Sequence, residues 1–222
     1  MAQEGPDCRA FFQTLRDRLP KELREMVFKY VFQGTYVLLE ANGAEADDDD
    51  DTPVCVKADI GRDYPYSYLL KPGYIHDSAI RTELIEAWFR TSNFIITDAA
   101  LIRPCLEKYP WSAGIDPVQL ISRVELKTKP LVDTLMREAV CKDLESLKCL
   151  KPGTTITIIV YLSPGFPSMR EIDNRAASLF PVSLRMRSMG YKMIVRPLNY
   201  LNCEIVVERG NRRVEAWLRE NE

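Results

Sequence analysis

Thr154-Thr-Ile-Thr-Ile-Ile-Val-Tyr-Leu162 is the stretch on which the fold class turns. Ile156, Ile158, Ile159 and Val160 are nearly continuous, so a strand here is apolar on both faces. Such a strand belongs inside a sheet covered by helices, not at a wet edge. Moving outward, the pattern alternates. Residues 131–150 before it and 168–189 after it read as helix, the second interrupted near Pro181. Residues 124–128, 193–196 and 204–207 read as strands, and 211–220 as a last helix. Strand, helix, strand in succession is a crossover pattern. It predicts an α/β (or α+β) fold: one layered domain with a mixed sheet flanked by helices. No internal repeat of fixed period is evident.

The N-terminal half opens on the clearest helix. Leu19, Leu23, Met26, Val27, Tyr30 and Val31 recur at helical spacing, Pro20 suits the first turn, and Gly34 ends the element. Residues 35–40 and 54–60 read as extended segments that would pair as a long hairpin. Between them Asp47 to Asp51 form five consecutive acids that repel one another and resist burial, which predicts a disordered acidic loop at 41–53. A calcium loop would space its acids and add a glycine turn and a distal glutamate, an arrangement not found here. Residues 64–74 read as irregular. Asp77 or Ser78 then caps a helix carrying Ile80, Leu84, Ile85, Ala87, Trp88 and Phe89, which runs into a strand at 94–97. A helix at 98–108, a turn at 111–114 and a helical turn after Asp116-Pro117 complete this half. The division this suggests is an N-terminal helical segment, 1–34, ahead of a mixed body, 35–222.

Composition narrows the class. The chain has 222 residues, 46% hydrophobic and 28% charged, enough for a real core. Its 30 Lys plus Arg against 32 Asp plus Glu leave a formal charge of −2, so no global field draws nucleic acid or anionic membrane. The acidic N-terminus lacks an apolar run and no stretch reaches the roughly 18 apolar residues of a membrane span, which argues against secretion and insertion. Six cysteines without a CxxC pair fit reduced thiols in the cytoplasm or nucleus, with Cys141 and Cys149 as core filler.

Chemistry is sparse. His76 is the one histidine, which removes most Ser-His-Asp schemes and every metal site needing two imidazoles. No phosphate-cradling or hydrolase motif occurs, and the Ser163-Pro-Gly-Phe-Pro167 loop lacks two of the N–H donors a phosphate nest needs. No catalytic residue, metal ligand or cofactor site is therefore assigned. One charge feature stands out: Arg175, Arg185, Arg187, Lys192 and Arg196 fall in a stretch without an acid. They form either a solvated face or a basic patch for an acidic partner or RNA phosphates, with Tyr191 and Tyr200 able to stack.

Phe12-x-x-Leu15-x-x-x-Leu19-Pro20-x-Glu22-Leu23-Arg24-x-x-Val27-Phe28-x-Tyr30-Val31 resembles the opening helix of F-box-like domains of uncharacterised fungal proteins. Ile80-Arg81-x-Glu83-x-x-Glu86-Ala87-Trp88-Phe89-Arg90-Thr91-Ser92-Asn93-Phe94 looks like their second block, a helix ending in an aromatic pair before Thr-x-Asn-Phe enters a strand. The resemblance implies that the first helix docks on a Skp1-type adaptor of a ubiquitin ligase while the remainder captures a substrate. Carried over by position, the partner-binding residues are Leu19, Pro20, Leu23 and Val27, with apolar anchors that would fill a groove. The same stripe also suits packing on the chain's own sheet. After Gly34 the chain departs from a full F-box, because the next residues read as extended. The expectation is a non-enzymatic intracellular protein-protein interaction protein, an F-box-like adaptor or substrate-recognition protein. The competing classes are an enzyme with an unrecognised site and a nucleic-acid binder using 175–196.

Overall fold

The structure is a computed structural model and describes residues 9–41, 56–60, 75, 77–97, 115–128, 134–160, 177–197, 205–208 and 210–221. Two helices, α1 (Arg9–Arg18) and α2 (Lys21–Val31), lead into β1 (Tyr36–Ala41), which pairs antiparallel with β2 (Val56–Ile60). Then come α3 (Ser78–Thr91), β3 (Asn93–Ile96), a 3-10 turn at Pro117–Gln119 and β4 (Arg123–Lys127). The helix α4 (Thr134–Ser146) tightens into a 3-10 turn at Leu147–Cys149 before β5 (Thr155–Val160). Finally α5 (Phe180–Ser188), β6 (Lys192–Pro197), β7 (Ile205–Val206) and α6 (Arg212–Asn221) follow.

The seven strands form one mixed sheet in the order β2-β1-β3-β4-β5-β6-β7. β1, β3, β4, β5 and β6 run parallel, and the two edge strands, β2 and β7, are antiparallel to their neighbours. Parallel neighbours that follow one another in the chain must be joined by crossovers, and right-handed crossovers repeated in one direction put every helix on the same face.

Burial follows that rule. Val37, Phe94, Ile96, Val124, Leu126, Ile156, Ile158, Met193, Val195 and Ile205 alternate along their strands and share one core with Leu84, Trp88, Val140, Leu144, Val182, Met186 and Val214 from the helices. Residues of the opposite parity are Tyr36, Asn93, Ile95, Arg123, Glu125, Lys127, Lys192, Ile194, Arg196 and Val206, all half-buried or exposed. Only at the centre is this second face closed, where Thr157 and Ile159 on β5 are buried. The double-sided burial expected of β5 is therefore present. Across this second face Arg196 Nη1 reaches Glu125 at 3.4 Å, spanning β5 from β6 to β4.

Strand starts are held in line by hydroxyls. Thr35 Oγ1 donates to the Phe32 carbonyl at 2.8 Å and meets Ser92 Oγ at 2.6 Å. Ser122 Oγ donates to the Arg90 carbonyl at 2.5 Å, and Thr154 Oγ1 donates to the Ile121 carbonyl at 3.0 Å. Each hydroxyl sits one residue before its strand; those of Thr35, Ser122 and Thr154 satisfy carbonyls earlier in the chain, and that of Ser92 pairs with Thr35, which ties neighbouring strand starts together.

The expected helix at the N-terminus divides in two. Pro20, with φ −54° and ψ 156°, stands at the N-cap of α2 outside its first turn. Proline disfavours helical geometry in the residue before it, so Leu19 closes α1 and the chain bends. Phe12 and Leu15 of α1 and Phe28 and Phe32 beside α2 join the common core, so segment 9–34 packs as part of the body. The weld between α2 and α3 is a fork: Arg24 Nε and Nη2 donate to the two Glu83 carboxylate oxygens at 2.9 and 2.7 Å. Arg24 Nη1 also donates to the Leu19 carbonyl at 2.7 Å, which ties down the bend. The charge-assisted bonds to Glu83 raise the pKa of Arg24 above its ordinary value, and the pair is largely shielded from solvent.

Asp77 is the cap of α3, as its position suggests. Its carboxylate accepts from the N–H groups of Ala79 and Ile80 at 3.0 and 3.1 Å and pairs with Arg16 of α1. These bonds, the one from Ile80 foremost, hold its pKa below the ordinary aspartate value. Asp77→Ala should cost about 1 kcal/mol in urea unfolding at neutral pH. Because the folded carboxyl titrates below the unfolded one, that contribution is complete above about pH 4 and fades as pH falls through the folded pKa. The gap between wild type and variant should close in acid; a constant gap would contradict the assignment.

Candidate partner-binding surface

The residues carried over from the resemblance do not share one environment. On α2, Phe28 is buried and Phe32 just beyond it is fully so, which fixes the core side of the helix. A step of two residues turns about 200° round a helix, so Tyr30 lies opposite Phe28. Leu23, Met26 and Tyr30, spaced i, i+3 and i+7, form one outward stripe and are 46%, 64% and 80% exposed. Leu23 and Pro20 therefore face solvent, whereas Leu19 and Val27 are half-buried against the core. The i, i+4, i+8 set straddles the boundary between the two faces. Met26 and Tyr30 complete the outward stripe, and a signal for them was present: the aromatic pair Phe28 and Phe32 at i, i+4 marks the core side and leaves these two opposite.

Next to this stripe a groove of about 490 Å³ runs along the start of the parallel strands. Met26, Lys29, Tyr30, Gln33 and Gly34 form one wall, and Arg90, Thr91 and Arg123 form the other. Gly34, with φ +83°, turns the chain from α2 into β1 in a left-handed conformation that a side chain would strain. The hydrogen bond from Ser122 to the Arg90 carbonyl brings Arg123 beside the end of α3. Arg90 keeps Glu86 as a partner at 3.0 Å. Lys29 and Arg123 make no ion pair among the described residues.

The expected basic stretch separates. Arg185 and Arg187 lie on α5, where Arg185 is 3.9 Å from Glu145, and Arg187 donates to the Val207 carbonyl and lies 3.4 Å from Glu208. Lys192 and Arg196 stand on the second face of β6, with Arg196 paired to Glu125. Arg175 and Tyr200 lie outside the described residues. Tyr191 is no stacking platform: it is buried, its hydroxyl donates to the Lys148 and Leu150 carbonyls at 3.0 and 2.8 Å, and burial raises its pKa.

Cys141 and Cys149 are half-buried and packed against the core, and burial raises the pKa of Cys141. His76, the aspartate run, the 163–167 loop and the elements expected at 64–74, 98–108 and 111–114 lie outside the described residues. Among the described residues no group of three His, Cys, Asp or Glu could hold a metal ion, and no helix is long and apolar enough to cross a membrane.

The two faces of α2 should respond differently to truncation. Leu23→Ser, Met26→Ser and Tyr30→Ser should each change stability by no more than about 0.5 kcal/mol. Phe28→Ala should cost roughly 3–4 kcal/mol. Urea unfolding of the four variants checks this, and a comparable loss from the outward residues would place them in the core.

Compared with protein-family models, curated proteins and solved structures, the chain matches none.

Proposed function

We propose that this chain is a non-enzymatic protein-protein interaction protein of the cytoplasm or nucleus, in which α2 docks on a Skp1-type adaptor and the α/β body carries the recognition surface. The observation that carries this is the outward stripe of Leu23, Met26 and Tyr30, directly opposite the buried Phe28. Contiguous exposed apolar side chains on a helix otherwise fastened to its domain are the signature of a helix that fills a partner's groove. The resemblance of residues 12–31 to an F-box-like helix supplies the identity of the partner. Leu23 and Pro20 are the exposed members of the transferred set; Leu23, with the longer side chain on the helix itself, serves as the principal anchor, with Pro20 at the head of the helix and Met26 and Tyr30 beside it. Leu19 and Val27 support the helix from its flank.

The test is a binding titration with a purified Skp1-type adaptor. Wild type should bind, and Leu23→Ala plus Met26→Ala should weaken binding at least about tenfold, as expected for the loss of central apolar anchors. Equal affinity of the two forms, or no binding by wild type, would overturn the proposal.

A further inference from the structure

We infer that the groove between the end of α2 and the start of β4, beside the proposed adaptor contact, is a second binding site, one for an acidic peptide segment. Three cationic side chains line it from three elements: Lys29 from the last turn of α2, Arg90 from the last turn of α3 and Arg123 from the first residue of β4. Of these, Lys29 and Arg123 carry no carboxylate partner among the described residues, and Arg123 is exposed. Arg90 keeps Glu86 at 3.0 Å, so Lys29 and Arg123 are the two lining cations left without an acid among the described residues. Two uncompensated cations lining one open groove set up a positive potential that extends about 10 Å at ordinary salt.

The walls specify more than charge. Tyr30 and Met26 give the groove an apolar rim, and Gln33 and Thr91 offer amide and hydroxyl groups that suit a polypeptide backbone. The backbone positions are fixed. Asn93 N–H donates to the Thr35 carbonyl at 2.9 Å, and the bond from Ser122 to the Arg90 carbonyl holds the far wall, so the cations are presented by a framework already in place. An extended chain bearing carboxylates matches two separated point charges and an apolar rim. RNA is disfavoured because Tyr30 is the only aromatic ring among the described residues lining the groove, and because nucleic-acid grooves track several phosphates with many cations. The site adjoins the proposed adaptor contact and shares Met26 and Tyr30 with it, while Leu23 does not line it.

A fluorescently labelled octaglutamate peptide is the probe, titrated into the full chain at low salt with anisotropy as the readout. Wild type should bind saturably and weaken steeply as salt rises. Lys29→Glu plus Arg123→Glu should lose at least about tenfold in affinity. The neutral pair Lys29→Gln plus Arg123→Gln should fall between, whereas Arg185→Glu plus Arg212→Glu, with the same change in net charge, should lose far less. Leu23→Ala should leave peptide binding unchanged, so that failure here and failure of the adaptor proposal are told apart. No saturable binding by wild type, or equal losses in the two charge-reversed pairs, would overturn the inference. Tighter binding of a labelled oligouridylate, abolished by the same groove variant, would overturn it in favour of nucleic acid.

Discussion

Five parallel strands laid down in chain order impose the constraint on which everything else in this molecule depends. Because β1, β3, β4, β5 and β6 lie side by side in chain order, right-handed crossovers bring the described helices α3, α4 and α5 to one side of the sheet. Among the described residues one face of the sheet therefore carries the main apolar cluster, and the other carries charged and half-buried side chains such as Arg123, Glu125, Lys127, Lys192 and Arg196 around the buried Thr157 and Ile159. A doubly wound sheet reverses its order in the middle and opens a ligand crevice there. Within these five strands the order does not reverse, so the topology supplies no switch point there.

The N-terminal helices are fastened to this frame by two kinds of bond that act together. Phe28 and Phe32 insert into the core, and the fork between Arg24 and Glu83 fixes the rotation of α2 about its axis. Once the rotation is set, geometry alone turns Leu23, Met26 and Tyr30 outward. The same orientation makes the end of α2 one wall of the basic groove. Arg24 contributes by a third bond as well, since its contact with the Leu19 carbonyl secures the bend that separates α1 from α2.

Much of the fold was legible from residue patterns. The continuous apolar run at Ile156 to Val160 announced an interior strand, and Asp77 ahead of Ile80, Leu84 and Trp88 announced a capped helix whose apolar positions are all buried. The pairing of β1 with β2 followed from two extended segments on either side of an unburiable run of aspartates. The repeating character of the sheet was not legible. Thr35-Tyr-Val, Ser92-Asn-Phe, Ser122-Arg-Val and Thr154-Thr-Ile each place a hydroxyl, an outward residue and a core residue in succession, yet the intervals between them are 57, 30 and 32 residues. Unequal intervals defeat a search for a period, and the hydroxyls acquire their meaning only when Thr35, Ser122 and Thr154 find carbonyls earlier in the chain and Ser92 finds Thr35. The site was half legible for a similar reason. Helical spacing identified α2, but which apolar residues face outward depends on where Phe28 and Phe32 find their core, a tertiary fact.

The one-sided core is the central claim, and two adjacent aliphatic residues on β6 test it. Ile194 points to the second face and Val195 to the core. Urea unfolding of Ile194→Lys and Val195→Lys should therefore differ sharply. The account predicts a loss of about 1 kcal/mol or less at Ile194 and the loss of the folded state at Val195, where an unpaired ammonium would be buried. Equal destabilisation by the two substitutions would contradict it.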